Sequence, residues 1–269
     1  MKNTIFIIIL LIAFSSCKSE FESIRTSGDP ELIYKRAEKY YDQEEYYKAQ
    51  SLFELAIPAY RGKELAEQLF YKYAYTYYYT GEYILASHYF KNFANTFYNS
   101  AKREEMDFMT SYALYKLSPN YKLDQSYTTK AIEGFQLFAN THPNSERIEE
   151  INALIDEMRK KLETKAFDQA YLYYNIGQYR AAVVSFDNML KDYPGSPKSE
   201  EARFLKLKSS YIIAENSIYD KKEERLDLAL KHYTDFIKKH PNSKWKQEAE
   251  DIYLNSIKEL KKFGRVWQI

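Results

Sequence analysis

The sequence predicts an all-α protein, built as an α-solenoid of about five repeated helix pairs. Three observations carry this prediction. The chain holds only 7 Gly and 7 Pro among 269 residues, which is too few for a fold with many tight turns. It also holds 28 Tyr and 16 Phe, most of them within helix-favouring runs rich in Ala, Glu, Lys and Leu. The third observation is a motif that recurs along the chain at fixed internal spacing.

Composition excludes several classes of function. The 39 Lys and Arg nearly balance the 38 Asp and Glu, so the basic excess expected of a nucleic-acid-binding protein is missing. A hydrophobic fraction of 45% is typical of a folded chain rather than a disordered one. The single Cys excludes internal disulfides and a metal site with several thiolates.

The first residues predict a lipoprotein signal peptide, residues 1–16. Lys2 supplies a positive charge, and the apolar run Ile5 to Phe14 is about half the length needed to cross a bilayer. The segment Ser15-Ser16-Cys17 resembles a bacterial lipobox, although Phe14 stands where that pattern prefers Leu. The resemblance implies that Cys17 becomes the acylated (palmitate-bearing) N-terminus and anchors the chain to a membrane. The alternative is that Cys17 is an ordinary residue beside a signal peptide.

One motif recurs from about residue 29 onward. An Ala is followed by an aromatic residue at the fourth position, then by an aromatic residue or Met three positions later. After four intervening residues comes Pro or Tyr, then Asn or Gly, then Ser. Full copies begin at Ala86, Ala131, Ala182 and Ala229, and a copy without the Pro begins at Ala49. Each copy predicts the second helix of a helix pair. The small Ala lets the partner helix approach closely, and the aromatic residues fill the buried face. The Ser is expected to cap the helix that follows.

A matching first helix precedes three of the copies. Its landmarks are Ala37, Tyr40 and Tyr46, then Ala74, Tyr77, Gly81 and Tyr83, then Ala170, Tyr173, Gly177 and Tyr179. This order of Ala, Tyr and Gly-x-Tyr resembles the tetratricopeptide repeat, in which the turn Gly before Tyr is the most specific part. The predicted solenoid therefore consists of tetratricopeptide-like helix pairs.

The distances between the Ala landmarks, which are 37, 45, 51 and 47 residues, indicate insertions. We expect an insert at Ser118 to Thr128, a long helix from about Glu146 to Asn175 and a charged insertion around Asp220 to Arg225. The predicted organisation is a tether at 17–28, three repeats at 29–144, two repeats and an end helix at 145–262, and a tail at 263–269.

No catalytic pattern is present in the sequence. The four histidines are His88, His142, His232 and His240, and two of them share one repeat position before Pro. There is no His-Glu-x-x-His, no phosphate-binding Gly-rich loop and no nucleophile motif. We therefore expect no catalytic residue, no metal site, no cofactor, no small-molecule substrate and no enzymatic activity.

What remains is a binding function. Solenoid repeats bind through the concave face, which is lined by first-helix positions that do not pack against the partner helix. These positions are Tyr34, Glu38 and Tyr41 in the first unit, Gln68, Tyr71, Tyr75 and Tyr78 in the second, and Phe167, Tyr171 and Tyr174 in the fourth. A groove lined by Tyr suits extended peptides with aromatic side chains. The alternative is that these tyrosines pack between neighbouring repeats.

A lipobox followed by five such repeats resembles the BamD family, the lipoprotein subunits of the β-barrel assembly machinery (BAM complex) of Gram-negative outer membranes. The segments that carry the resemblance are Gly28-Asp29-Pro30, Tyr34-Lys35-Arg36-Ala37, Tyr46-Tyr47-Lys48-Ala49, Tyr83-Ile84-Leu85-Ala86-Ser87 with Tyr89-Phe90, Leu123-Asp124-Gln125, Ser185-Phe186-Asp187-Asn188 and Ala214-Glu215-Asn216-Ser217.

This resemblance implies a protein on the periplasmic side of the outer membrane, held by its lipid anchor. It implies that the N-terminal repeats bind unfolded outer-membrane proteins at an aromatic-ended C-terminal signal. It also implies that the C-terminal repeats bind the barrel-forming subunit. The alternative is another tetratricopeptide-repeat lipoprotein of the envelope, an adaptor that coordinates constriction or peptidoglycan work.

Overall fold

A computed structural model describes residues 20–264, in which every regular element is an α-helix. The helices are α1 (Glu20–Arg25), α2 (Pro30–Asp42), α3 (Tyr46–Tyr60), α4 (Ala66–Tyr79), α5 (Tyr83–Thr96), α6 (Arg103–Lys116), α7 (Ser126–Thr141), α8 (Ile148–Asn175), α9 (Tyr179–Asp192), α10 (Ser199–Glu215), α11 (Tyr219–Lys239) and α12 (Lys246–Lys261). The predicted fold class is confirmed: α2 to α11 form five tetratricopeptide-like helix pairs, and α12 follows them. Cys17 and the predicted signal peptide lie outside the described residues.

The landmark alanines lie in the core of the helix pairs. All five of them, Ala49, Ala86, Ala131, Ala182 and Ala229, are fully buried on second helices of their pairs. The aromatic residues that follow, such as Phe53 and Phe90, are equally inaccessible. Small side chains therefore let neighbouring helices approach, and the rings fill the remaining space.

The described residues form two compact units. Unit 1 holds 20–119 and 124–155, and with them the first three helix pairs. Unit 2 holds 120–123 and 156–264, which include the last two pairs apart from the start of α8. The division falls at Ile155, inside α8, whereas residue 145 lies in the loop before that helix.

The turns within three of the pairs require a left-handed backbone. Gly81 and Gly177 adopt φ of +80° and +74° between the two helices of their pairs. The equivalent position of the first pair is Glu44, which adopts φ +61° without being glycine. Both glycine turns predicted from the Gly-x-Tyr motif thus have the conformation that glycine tolerates best.

The serines of the motif have a different role from the predicted helix cap. The residue before α6 is Lys102, not Ser100, and no side chain caps that helix. Instead, Ser100 Oγ accepts a hydrogen bond from the Lys102 amide, and its hydroxyl donates to Glu67 on α4 at 2.7 Å. The same link joins Ser145 to Glu104 and Ser196 to Glu163. The serine therefore closes a turn and connects it to the first helix of its own pair.

Two of the three predicted insertions are helical. The long helix is confirmed, because α8 runs for 28 residues and ends at Asn175 as expected. The charged insertion Asp220 to Arg225 lies within α11 and extends that helix to 21 residues. The extra length in the fourth and fifth repeats is thus largely added helix.

The third insertion, Ser118 to Thr128, is mainly a loop that ends where α7 begins. The hydroxyls of Ser118 and Thr128 lie 2.6 Å apart and close the base of this loop. Its central residues belong to unit 2, where Lys165 donates a hydrogen bond to the Leu123 carbonyl.

Part of the predicted tether is folded. Helix α1 places Ile24 in a buried position, only 5% exposed, and packs Phe21 edge-on against Tyr40 at 6.0 Å. Glu20 forms an ion pair with Arg36 of α2 at 2.8 Å. Helix α1 therefore packs on the first helix pair.

Candidate functional site

The tyrosines of α4 divide between two faces of the helix. Tyr71, Tyr75 and Tyr78 lie on one face, with successive ring centroids 4.9 and 6.3 Å apart. Tyr73 and Tyr77 lie on another side, where both rings are buried and their hydroxyl oxygens are 2.8 Å apart. A spacing of three and four residues brings the first set together, as expected for a helix.

The first face continues onto the first helix pair. Tyr79 stacks on Tyr75 at 5.6 Å and on Tyr46 at 4.5 Å. Tyr41 of α2 meets the Tyr79 ring edge-on at 6.3 Å. In the other direction, Tyr78 reaches Tyr112 of α6 at 6.4 Å. We call this continuous set the tyrosine surface of unit 1: Tyr41, Tyr46, Tyr71, Tyr75, Tyr78, Tyr79 and Tyr112.

A carboxylate from α6 fixes two of these rings. The hydroxyls of Tyr71 and Tyr75 both donate to Glu105 Oε1, at 3.0 and 2.5 Å. Burial, followed by the charge of Glu105, raises the pKa of Tyr71 to about 12, and burial with the Glu105 hydrogen bond raises the pKa of Tyr75 further. Both side chains are therefore neutral hydrogen-bond donors at physiological pH.

Charged groups border the tyrosine surface. Glu38 accepts hydrogen bonds from Gln68 at 3.0 Å and from Lys72 at 2.9 Å, which links α2 to α4. The Lys72 ammonium lies 5.4 Å from the Tyr41 ring, and the Lys102 ammonium lies 4.2 Å from the Tyr71 ring. These cation–π contacts hold the lysines against the aromatic faces.

The predicted groove residues are close together but unequally accessible. Tyr34 is 5% exposed and packs against Tyr60 at 5.0 Å, and Tyr75 is 8% exposed. Tyr41, Tyr71 and Tyr78 are half-buried, so part of each ring is open to solvent. Of the predicted polar pair, Glu38 is half-buried and Gln68 is exposed. The accessible part of the site therefore consists of Tyr41, Tyr71 and Tyr78 together with Tyr79, which is 48% exposed.

Sequence reasoning missed Tyr79, Tyr46, Tyr112 and Glu105. Tyr79 lies four residues after Tyr75, and that spacing was a usable signal. Glu105 and Tyr112 lie on α6, a first helix that lacks the Gly-x-Tyr landmark, so its register could not be assigned from the sequence.

Unit 2 carries a smaller aromatic row on α8, at the positions predicted for the fourth repeat. Phe167 stacks with Tyr171 at 6.0 Å, and Tyr171 stacks with Tyr174 at 6.3 Å. Lys198, the residue before α10, lies over the Phe167 ring at 4.2 Å. The arrangement of rings bordered by lysine thus occurs in each unit.

Within residues 20–264, no cluster of His, Cys, Asp and Glu has the geometry of a metal site. In the same range, no helix is both long and apolar enough to cross a bilayer. His88 pairs with Asn92 inside α5 at 2.9 Å. Two other histidines pair with a residue of a neighbouring helix: His142 with Asp107 at 2.9 Å, and His232 with Ser210 at 2.8 Å. These pairs join neighbouring helices within each unit.

The helix pairs and their aromatic first-helix faces define a tetratricopeptide-like scaffold, a class of protein that binds other proteins. Within this class, the chain belongs to the YfiO family, described as outer membrane lipoprotein, whose model matches residues 26–194 and 162–262. This is the BamD family, so the resemblance seen in the sequence is confirmed, and with it the assignment to the outer membrane assembly machinery.

One solved structure, the TPR2AB-domain:pHSP90 complex of yeast Sti1, aligns with 15% identity and a TM-score of 0.40. The alignment covers 84% of this chain and 98% of that chain. No curated protein shows a significant match to the chain.

Proposed function

We propose that this protein is a lipid-anchored scaffold subunit of the β-barrel assembly machinery, on the periplasmic side of the outer membrane. In this proposal, unit 1 binds unfolded outer-membrane proteins, and unit 2 binds the barrel-forming subunit. The observation that carries the first part is the tyrosine surface, in which half-exposed rings rest on buried ones.

The tyrosine surface suits an extended chain that ends in an aromatic residue. The exposed ring edges of Tyr41, Tyr78 and Tyr79 offer apolar area, and the nearby Lys102 can attract a terminal carboxylate. Each aromatic pair contributes about 0.5–1.5 kcal/mol beyond burial. Because ring contacts and Glu105 already hold the tyrosines, little side-chain entropy is lost when a peptide binds.

The test is a titration with a peptide from the C-terminus of a β-barrel protein. Tyr78→Ala combined with Tyr79→Ala should weaken binding by about 1–3 kcal/mol, the range of interface hot spots. The matched control is Tyr98→Ala combined with Leu137→Ala, two side chains that are 64% and 67% exposed and lie outside the tyrosine surface. Equal affinity of the folded double variant and the wild type would contradict the proposal.

The second part concerns unit 2 and its row of Phe167, Tyr171 and Tyr174. Tyr171→Ala with Tyr174→Ala in the full chain should reduce co-purification with the barrel-forming subunit. The Tyr78 and Tyr79 variant should keep that partner, because its substitutions lie in unit 1. If the Tyr78 and Tyr79 variant loses the barrel-forming subunit and the Tyr171 and Tyr174 variant keeps it, the roles of the two units are exchanged. If neither variant loses that subunit, the result favours an adaptor for constriction or peptidoglycan work.

The anchor is tested at Cys17. Cys17→Ala should leave an unprocessed precursor or release the protein from membranes, because the acyl chains supply the hydrophobic attachment. The intact mass of the purified mature chain should include these acyl chains. A mass without them would contradict lipidation.

A further inference from the structure

Unit 2 contains a groove that the proposed function does not use. It lies between α9, α10 and α11 and encloses about 660 Å³. At its floor lies Lys206, only 9% exposed, whose ammonium donates to Asp187 at 2.8 Å. Lys191 forms a second ion pair with the same carboxylate at 2.7 Å. A single carboxylate is thus shared by two ammonium groups.

The groove carries more positive than negative charge. Besides Lys191 and Lys206, its lining holds Arg203 and Lys231, while the carboxylates that the described residues contribute are Asp187 and Asp235. Four cations against two anions leave a net charge of +2. Arg203 is paired with Asp235, whereas Lys231 forms no ion pair or hydrogen bond with any of residues 20–264.

The remaining lining is neutral or apolar. Burial, followed by the charge of Lys206, lowers the pKa of His232 to about 4, so this ring is uncharged at neutral pH. Val184 on α9 and Leu228 on α11 form apolar walls, and they are 59% and 44% exposed. The groove therefore combines a cationic floor with hydrophobic rims.

The equivalent groove of unit 1 lacks this combination. It lies between α5, α6 and α7, encloses about 500 Å³, and has Gly134 where the repeat register places His232 in unit 2. Its cations are Lys91, Arg103 and Lys130, and its described lining also holds two carboxylates. None of these three cationic side chains is buried. A buried lysine at this position is thus a property of unit 2 and does not follow from the repeat fold.

We propose that the groove of unit 2 binds an acidic segment of a partner protein, with Asp or Glu side chains on its floor and leucine-like side chains on Val184 and Leu228. Charge complementarity identifies this occupant. Asp187 is shared by two ammonium groups, and Lys231 has no ion-pair partner among residues 20–264, so positive charge in the groove remains unbalanced. The acidic side chains complete the pairing, and the apolar rims bury the hydrophobic face of the segment. This site is distinct from the tyrosine surface, which lies in unit 1.

The test uses a fluorescent peptide of about twelve residues that repeats the pattern Glu-Glu-Leu-Leu, with no barrel protein present. The full chain should bind it saturably, and a peptide with Gln in place of Glu should bind more weakly. Lys191→Ser with Lys231→Ser should reduce affinity about tenfold, which corresponds to 1.4 kcal/mol. The matched control, Lys91→Ser with Lys130→Ser in the groove of unit 1, should bind like the wild type.

All four lysines are exposed, so thermal melts of both double variants should match the wild type. Val184→Ser should weaken binding without changing its dependence on salt, because it removes only apolar contact. The proposal is overturned if the wild type does not bind the peptide, if Gln and Glu peptides bind alike, or if the two lysine pairs lose affinity equally. None of these outcomes depends on recognition of barrel proteins.

Discussion

Replacing Glu44 with glycine should stabilise this protein. Glu44 lies at the turn of the first helix pair with φ +61°, in the left-handed region that side chains with a Cβ rarely adopt. The equivalent turns of two other pairs use Gly81 and Gly177, with φ of +80° and +74°. Glu44→Gly therefore converts an unfavourable turn into the one that the chain already uses elsewhere.

The structure indicates the magnitude. A left-handed backbone costs a residue other than glycine about 1–2 kcal/mol, and glycine avoids this cost while losing more entropy on folding, about 0.5–1 kcal/mol. The net gain for Glu44→Gly is thus roughly 0.5–1 kcal/mol. The opposite kind of substitution, Gly81→Ala, introduces no steric clash, because a Cβ built on Gly81 meets no atom within 4 Å. Gly81→Ala therefore measures backbone strain without steric contact.

The assay is the midpoint of thermal or urea unfolding for three proteins: wild type, Glu44→Gly and Gly81→Ala. For a chain of this size, 1 kcal/mol corresponds to about 2–4 °C. We expect the first variant to melt slightly above the wild type and the second below it. A Gly81→Ala protein as stable as the wild type would refute the reasoning, because the backbone would then impose no penalty.

Three further predictions concern packing and pH. Gly134→Ala should cost about 1–3 kcal/mol, since the new Cβ would lie 2.4 Å from Ser111 Oγ, and adding Ser111→Ala should recover most of the loss. Ile24→Ala should cost about 2 kcal/mol of unfolding free energy if α1 is part of the folded unit, and an unchanged midpoint would show that it is not. Stability should fall as pH drops from about 6.5 to 4, because the pKa of His232 is lowered to about 4 and the unfolded chain binds the proton first. His232→Gln should flatten that part of the pH profile of the melting temperature, and an unchanged profile would contradict the assignment.

The repeat architecture could be predicted from residue types alone. Ala86 and Phe90, like their counterparts in other repeats, recur at fixed spacing because every helix pair solves the same packing problem. The long helix α8 and the glycine turns followed from the same local rules, since helix continuity and positive φ depend on neighbouring residues. The role of the motif serine could not be predicted from local rules, because Ser100 donates a hydrogen bond to Glu67, which is 33 residues away in the sequence.

The accessibility of the binding face required the tertiary structure. Tyr71, Tyr75 and Tyr78 share a face by helical periodicity, and the sequence determined that much. Whether a ring on that face is open or covered depends on the neighbouring helix, and here Glu105 of α6 and the rings of adjacent helices cover Tyr75.

The cationic groove of unit 2 likewise depends on the tertiary structure. Asp187, Lys206 and Lys231 belong to three different helices, so their charges meet only when α9, α10 and α11 pack. Periodicity along a helix is a local property that the sequence records directly. Burial and net charge in a groove are sums over segments far apart in sequence, and only the folded chain brings those segments together.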